Sequence, residues 1–159
     1  MKYSVLSLAA LLTASSLAFP GYYWGWRQGE AGDAIVMNHM NIAVDVDKVT
    51  PSQLFRQVKA TGEQVYYIEA GGAARIPGGP VADLKINRQV EVSYVGGDGG
   101  TFNYAIKPLD HFPGVVEVTP DGCEPLVWHP GDPETRQVTC PEGTELPIRL
   151  YGPFQAGWY

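Results

Sequence analysis

The sequence predicts a mainly β protein: an antiparallel β-sandwich or barrel of about seven to nine short strands, with one short α-helix near residues 51–60. Two observations support this prediction. Short runs of β-branched and aromatic residues recur between turns rich in glycine and proline, from residue 34 to residue 151. In addition, residues 89–107 hold two alternating runs on either side of GGDGG, which is typical of a β-hairpin.

This hairpin is the most specific structural signal in the chain. A loop at 96–100, closed by Val95 opposite Thr101, predicts one face made of apolar cross-strand pairs. These pairs are Tyr94 with Phe102, Val92 with Tyr104 and Val90 with Ile106. A slip of one residue would set apolar side chains against polar ones, so the alternation predicts which residues face the core.

The other elements follow from local signals. A long strand is predicted over 34–47, bent near Asn38, where a continuous apolar run changes to alternation. The helix is predicted because residues 50–53 (TPSQ) can form a capping box and Gly62 can end the helix. Residues 70–80, rich in glycine and alanine, predict a loop. Further strands are predicted at 63–70, 81–87, 115–119, 126–128, 136–139 and 146–151.

The first eighteen residues have the layout of a secretory signal peptide. Lys2 is followed by an apolar run over 5–12 and by small residues up to Ala18, after which cleavage is predicted. The apolar run is shorter than the roughly 20 residues that a membrane-spanning helix needs. We therefore expect residues 1–18 to be removed, and residues 19–159 to form a single secreted, extracellular domain without a membrane span.

The charge balance bears on the kind of partner. Because Lys2 lies in the predicted leader, the mature chain has 10 basic and 17 acidic residues and a net charge of −7. An anionic surface repels phosphate backbones, so nucleic acid is not expected as a partner. An extracellular protein or a polysaccharide is expected instead, and the sequence does not define an oligomeric state.

Cys123 and Cys140 are expected to form one disulfide in an exported protein. By the chain-entropy argument, closing this loop stabilises the fold by about 3 kcal/mol. Within the loop, two short strands are predicted to pair across a proline-rich turn, with the disulfide near their open end.

No catalytic residue can be assigned from the sequence. The serines after the leader, Ser52 and Ser93, lie outside a Gly-x-Ser-x-Gly elbow, and a disulfide removes both cysteine nucleophiles. A pair of carboxylates could act as in glycoside hydrolases, but sequence does not show which two would face each other. The loop GGDGG precedes a strand, which favours a turn over a phosphate site.

No metal or other cofactor is predicted. The three histidines are far apart in sequence, although folding could bring them together with aspartate ligands. These candidates are His39, His111, His129, Asp45, Asp47 and Asp110. The expected mature N-terminus is Phe19, which gives no support to a copper site built on an N-terminal histidine.

Aromatic residues at the two chain ends are the binding candidates. They are Tyr22, Tyr23, Trp24, Trp26, Trp158 and Tyr159. They could form a platform that stacks on sugar rings, or the two ends could pair as strands and bury them. The platform predicts that Trp24→Ala abolishes polysaccharide binding at unchanged stability, whereas burial predicts a lower melting temperature.

A short leader rich in alanine, leucine and serine, an acidic body, one disulfide and an aromatic C-terminus together resemble the small secreted β-rich proteins of filamentous fungi. This resemblance implies a role as a cell-wall component or host-directed effector. Because catalytic constellations are missing while the fold signals are complete, the first hypothesis is a secreted, non-enzymatic interaction protein. The alternatives are a carbohydrate-binding module that uses the terminal aromatics, and a small hydrolase that uses paired acids.

Overall fold

The computed structural model describes residues 29–50 and 64–152, which form two β-sheets packed as a sandwich. The leader, the predicted helix at 51–60 and the six terminal aromatic residues lie outside the described residues. The strands are β1 (Ala34–His39), β2 (Val44–Val49), β3 (Gln64–Ile68), β4 (Ala73–Ile76), β5 (Val81–Ile86), β6 (Val90–Gly97), β7 (Thr101–Pro108), β8 (Val115–Val118), β9 (Leu126–Trp128), β10 (Val138–Pro141) and β11 (Leu146–Tyr151).

The strand order is β4-β1-β11-β8-β9 in the five-stranded sheet and β10-β7-β6-β5-β2-β3 in the six-stranded sheet. Neighbouring strands are antiparallel, apart from the parallel pair β1 and β11. The inner faces bury a continuous apolar core that includes Trp128, Phe102 and Ile148. The predicted mainly β, sandwich-like fold is confirmed, and residues 29–50 and 64–152 alone contain eleven strands where about seven to nine were predicted.

One additional strand lies in the segment predicted to be a loop. Residues 73–76 (AARI) form β4, which pairs with β1 at the edge of the five-stranded sheet. Alanine is depleted in strands, so propensity gave no signal here. The last residue of the segment, Ile76, is buried in the core and lies opposite Ala34 of β1. This burial stabilises the pairing of β4 with the sheet.

The predicted long strand over 34–47 is wrong as one element, because the chain crosses between the sheets within it. β1 ends at His39 in one sheet and β2 begins at Val44 in the other. The bend predicted near Asn38 marks this crossing. The buried Asn38 side chain donates to the carbonyl oxygens of Ile42 at 2.8 Å, Glu69 at 3.1 Å and Ile68 at 3.2 Å, and its Oδ1 accepts from the Met40 amide at 3.0 Å.

The hairpin of β6 and β7 is confirmed, but its predicted register is wrong by two residues. Gly97 lies opposite Thr101, so the loop has three residues, 98–100, and Tyr94 faces Tyr104. A shift of two keeps every side chain on its predicted face, so the apolar pattern could not distinguish the two registers. The turn selects the register: Gly99 and Gly100 have φ of 70° and 72°, and the Thr101 hydroxyl donates to the Asp98 carbonyl oxygen.

The disulfide between Cys123 and Cys140 is confirmed, with the two Cα atoms 5.7 Å apart. The two strands in its loop do not pair as predicted, because β9 belongs to the five-stranded sheet and β10 to the six-stranded sheet. Cys123 lies in the segment that leads into β9, and Cys140 lies in β10 with its side chain in the core. The bond therefore connects the two sheets.

The segments that connect the strands gather at two ends of the sandwich. We call upper the end that carries the crossing at 40–43, the turn at 87–89, the loop at 109–114 and the turn at 129–132. The described residues contain no helix long and apolar enough to cross a membrane.

Candidate functional site

Among the described residues, two clefts at the upper end are candidate sites. The smaller, of about 280 Å³, is lined by Asp45, Asp47, Val65, Asn87 and Arg88, and we call it the Arg88 cleft. The larger, of about 520 Å³, lies between the loop after β7 and the turn after β9. The two clefts are connected through the backbone, because the turn at 87–89 contacts the loop at 109–114. The Gln89 carbonyl oxygen accepts hydrogen bonds from the amides of residues 109 and 110.

The Arg88 cleft is built on a tight turn between β5 and β6. Asn87 and Arg88 have φ of 50° and 55°, and the Gln89 amide donates to the Ile86 carbonyl oxygen at 2.9 Å. Two successive positive φ values correspond to a type I′ turn, which favours glycine at the second position. Arginine in that position costs about 1 kcal/mol. The turn therefore holds Arg88 at a conformational cost.

Neighbouring groups hold this turn in place. Asn87 exchanges two hydrogen bonds with Asp45: its amide donates to the Asp45 carbonyl oxygen, and its side-chain oxygen accepts from the Asp45 amide, each at 2.8 Å. Arg88 Nε donates to Asp47 Oδ2 at 2.9 Å. The Asp47 side chain is only 6% exposed, whereas that of Arg88 is 74% exposed. The buried Asp47 carboxylate thus holds the Nε end of the exposed Arg88 guanidinium in place.

An apolar edge borders these polar groups. β3 is the edge strand, and its Tyr67 and Val65 lie directly opposite Asp45 and Asp47 on β2, on the outer face of the sheet. Tyr67 is 67% exposed and Val65 is 56% exposed. Tyr67 and Val65 therefore form a small exposed apolar edge beside Asp45 and Asp47.

The outer face of the six-stranded sheet also carries a row of alternating charges. Asp47, Lys85, Glu91 and Lys107 are consecutive cross-strand neighbours on β2, β5, β6 and β7. Opposite charges at directly facing positions stabilise a sheet modestly. Glu91 is buried at 8% exposure, and this burial raises the pKa of its carboxyl group, with the nearby Asp83 adding to the effect.

We expect Glu91→Gln to raise the melting temperature at pH 7 and to lose this advantage near pH 4. A carboxyl whose pKa is raised in the folded state stabilises the fold below its unfolded pKa of about 4.5 and loses that contribution as the pH rises. Glutamine resembles the protonated acid at every pH. Thermal unfolding followed by circular dichroism from pH 4 to pH 8 measures the difference.

The exposed Glu142 provides the control for this measurement, since Glu142→Gln removes one charge without removing a buried carboxylate. Equal pH profiles for the Glu91→Gln variant and the unchanged protein would contradict the role assigned to Glu91 burial.

The larger cleft is mainly apolar. It is lined by Pro108, Leu109, Asp110, His111, Phe112, Pro113, Trp128, Pro130, Gly131 and Asp132. The buried Trp128 indole donates from Nε1 to the Asp132 carbonyl oxygen at 3.0 Å, and the Asp132 carboxylate accepts from the His129 amide at 3.0 Å. These bonds fix the turn that forms one wall of the cleft. Its volume lies within the range of small-molecule sites.

The three histidines all lie at the upper end but do not form a metal site. The His39 ring stacks on Tyr151 with ring centroids 5.3 Å apart, and His129 faces Asp132 at 3.4 Å. His111 lines the larger cleft. In the part of the chain that the structure describes, no group of three or more histidine, cysteine, aspartate or glutamate residues is placed to hold a metal ion.

The Arg88 cleft and its apolar edge consist mainly of residues that no sequence motif indicates. The sequence predicts Asp45 and Asp47 only as candidate metal ligands, and it indicates no binding role for Tyr67, Asn87 or Arg88. The signal available for Tyr67 was its place in a predicted strand of alternating residues, EQVYYIEA, where one of two adjacent tyrosines has to face outward.

Comparisons with known proteins give a match in structure only. No protein-family model matches this sequence, and no curated protein matches it by sequence. The fold is similar to the crystal structure of the protein elicitor MoHrip2 from Magnaporthe oryzae, with a TM-score of 0.59 and 17% sequence identity. The match covers 76% of this chain and 98% of the elicitor. The two proteins thus share a β-sandwich-like fold.

Proposed function

We propose that this chain is a secreted, non-enzymatic interaction protein of the elicitor or effector type, which acts outside the cell that makes it. The observation that supports this proposal most is the structural match, which extends over 98% of a fungal protein elicitor. Because fold alone does not define activity, the site has to supply the remaining support.

The site supports binding more readily than turnover. The Asp47 carboxylate is paired with Arg88, and the Asn87 side chain accepts from the Asp45 backbone amide, so these bonds hold the turn at 87–89 in place. Next to them lie exposed apolar side chains on an edge strand. Rigid polar groups beside an exposed apolar patch are what a recognition surface requires.

The secretion of the protein is part of the same proposal. Residues 1–18 act as a signal peptide, and residues 19–159 form the secreted domain with an extracellular protein or a polysaccharide as partner. The inter-sheet disulfide fits an oxidising compartment. Expression of the full chain in a secreting fungal host tests this part. Edman sequencing of the protein from the medium is expected to start at Phe19, and retention of the product inside the cells would contradict it.

The activity is tested by applying the purified secreted protein to leaf tissue and measuring the release of reactive oxygen. The folded protein is expected to provoke a response that the same protein, reduced and heat-denatured, does not. Absence of a response, or an equal response to the denatured protein, would contradict the elicitor type. Turnover of a polysaccharide, peptide or RNA substrate would contradict the non-enzymatic assignment.

A further inference from the structure

We propose that the Arg88 cleft and Tyr67 together form a binding site for a neutral glycan. The inference rests on the proposed function, since it names the chemistry of an extracellular partner. It assigns binding to described residues on β2, β3 and the turn at 87–89, which differ from the aromatic residues predicted at the chain ends.

A sugar ring has two kinds of surface, and the site offers a counterpart to each. Its axial C–H groups form an apolar, weakly positive face that suits the negative face of an aromatic ring. Its hydroxyl groups form a rim that both donates and accepts hydrogen bonds. Tyr67 supplies an aromatic side chain that is 67% exposed, and Val65 extends the apolar edge.

The polar side of the site lies within one strand spacing of this edge. Asp45 is directly opposite Tyr67, and strands in a sheet are about 4.8 Å apart. Carboxylate oxygens accept hydrogen bonds from sugar hydroxyl groups, so the Asp45 carboxylate is the polar partner that the site offers beside Tyr67. A sugar ring resting on Tyr67 therefore places its hydroxyl rim toward Asp45 and the turn at 87–89. The cleft volume of about 280 Å³ suits one ring at a time.

The charges at the site favour a neutral ligand over an anionic one. Asp45 and Asp47 contribute two carboxylates, and the guanidinium of Arg88 is bonded to one of them. Glu69, which follows β3, is also exposed. A uronic acid or a sulfated sugar would bring a further negative charge to this surface, on a mature chain with 10 basic and 17 acidic residues and a net charge of −7.

The turn at 87–89 is also organised before any ligand binds. Asn87 is tied to the Asp45 backbone by two hydrogen bonds, and Arg88 is tied to the buried Asp47 in a backbone conformation that arginine rarely adopts. Fixing these groups in advance reduces the entropy lost on binding. It also gives a function to the costly placement of Arg88 at this turn.

Pull-down on insoluble polysaccharides tests the assignment. The purified secreted protein is incubated with chitin, cellulose and β-glucan, and with cross-linked polygalacturonate as the anionic comparison. The variants are Tyr67→Ala, Tyr67→Phe and, as a matched control, Val127→Ala, which removes a 47% exposed side chain from the outer face of the other sheet. Thermal unfolding of each variant shows that its fold is intact.

We expect retention on at least one neutral polysaccharide and weaker retention on polygalacturonate. Tyr67→Ala should weaken binding about tenfold, because loss of an aromatic contact is worth about 1.4 kcal/mol. Tyr67→Phe keeps the ring and should remain within about twofold, as should Val127→Ala.

Two results would overturn the inference. One is failure of the unchanged protein to bind any neutral polysaccharide. The other is retention of Tyr67→Ala equal to that of the unchanged protein. In that case, loss of binding in Trp24→Ala would assign glycan binding to the predicted terminal aromatic residues. Both results leave the leaf response unaffected, so failure of the glycan site is distinguishable from failure of the elicitor proposal.

Discussion

Replacing Asn38 with aspartate is expected to lower the free energy of unfolding by about 4 kcal/mol. The substitution preserves the shape of the side chain and changes its chemistry. Asn38 Nδ2 donates to three carbonyl oxygens, on residues 42, 68 and 69, in a side chain that is 1% exposed. Aspartate would direct an acceptor oxygen toward these three acceptors, at the cost of either a buried charge or the uptake of a proton.

The consequences should reach the upper end of the molecule. Asn38 fixes the crossing between the sheets and the end of β3, which is the strand that carries Tyr67. We therefore expect glycan binding to be lost together with stability. Chemical denaturation measures the stability, and amide hydrogen exchange shows whether β3 opens first.

Asn103→Asp provides the matched control. Asn103 lies on the outer face of β7, is partly exposed, and its Oδ1 accepts from the Thr139 hydroxyl, a bond that a carboxylate can also accept. We expect a loss within about 0.5 kcal/mol. If both variants lost the same amount, the buried donor role of Asn38 would be excluded as the cause.

Side-chain direction was the part of the fold that local pattern could determine. In the β6–β7 hairpin, Val90, Val92 and Tyr94 face the core as predicted, because alternation depends only on neighbouring residues. The bend near Asn38 was also visible, because the hydrophobic pattern changes there. Register was not determined, since a shift of two residues leaves both faces unchanged.

Apart from the β6–β7 hairpin, strand partners could not be predicted, because pairing is decided between segments of the chain that local pattern does not compare. β1 pairs in parallel with β11, more than a hundred residues later, and nothing near either strand encodes this choice. The partners of β9 and β10 could not be predicted from local pattern either. Their closeness in sequence and the disulfide predict a hairpin, yet each strand lies at the edge of a different sheet. Propensity describes a strand, whereas the partner depends on the packing of the whole core.

The residues of the candidate site could not be identified from the sequence for a related reason. Whether Tyr66 or Tyr67 faces outward depends on which side of β3 meets the core, and its 67% exposure depends on β3 being an edge strand. The turn at Asn87 was hidden because arginine replaces the glycine that would normally signal it. The aromatic chain ends were more conspicuous in sequence, and their role remains a prediction.

Replacing Gly78 with alanine is the second change with a large expected effect, a loss of about 3 kcal/mol. A Cβ atom at this position would lie 2.2 Å from the carbonyl oxygens of both Ala31 and Gly32. These are backbone atoms and cannot rotate away, as the end of a flexible side chain could. The contact can be relieved only by moving the segment at 29–33.

Movement of that segment would disturb several parts of the lower end of the sandwich at once. Gly29 donates to Gly97 of the β6–β7 hairpin, Ala31 and Gly79 exchange two backbone hydrogen bonds, and Gly32 donates to Thr144. The Gly78 amide also donates to the Asp33 carboxylate, and together with Arg75 it lowers the pKa of that carboxyl group. The segment thus connects loops of both sheets through its backbone.

Gly152→Ala separates this steric effect from the general effect of adding a methyl group. A Cβ atom there would lie 3.7 Å from its nearest neighbour, the Met40 Cα, which is an ordinary contact distance. We expect Gly152→Ala to change stability by less than about 1 kcal/mol. Urea denaturation of both variants measures the difference. The Arg88 cleft lies at the opposite end of the sandwich, so Gly78→Ala protein that is still folded should bind glycan as the unchanged protein does. Loss of glycan binding by the folded variant would contradict the separation of the Gly78 segment from the binding site.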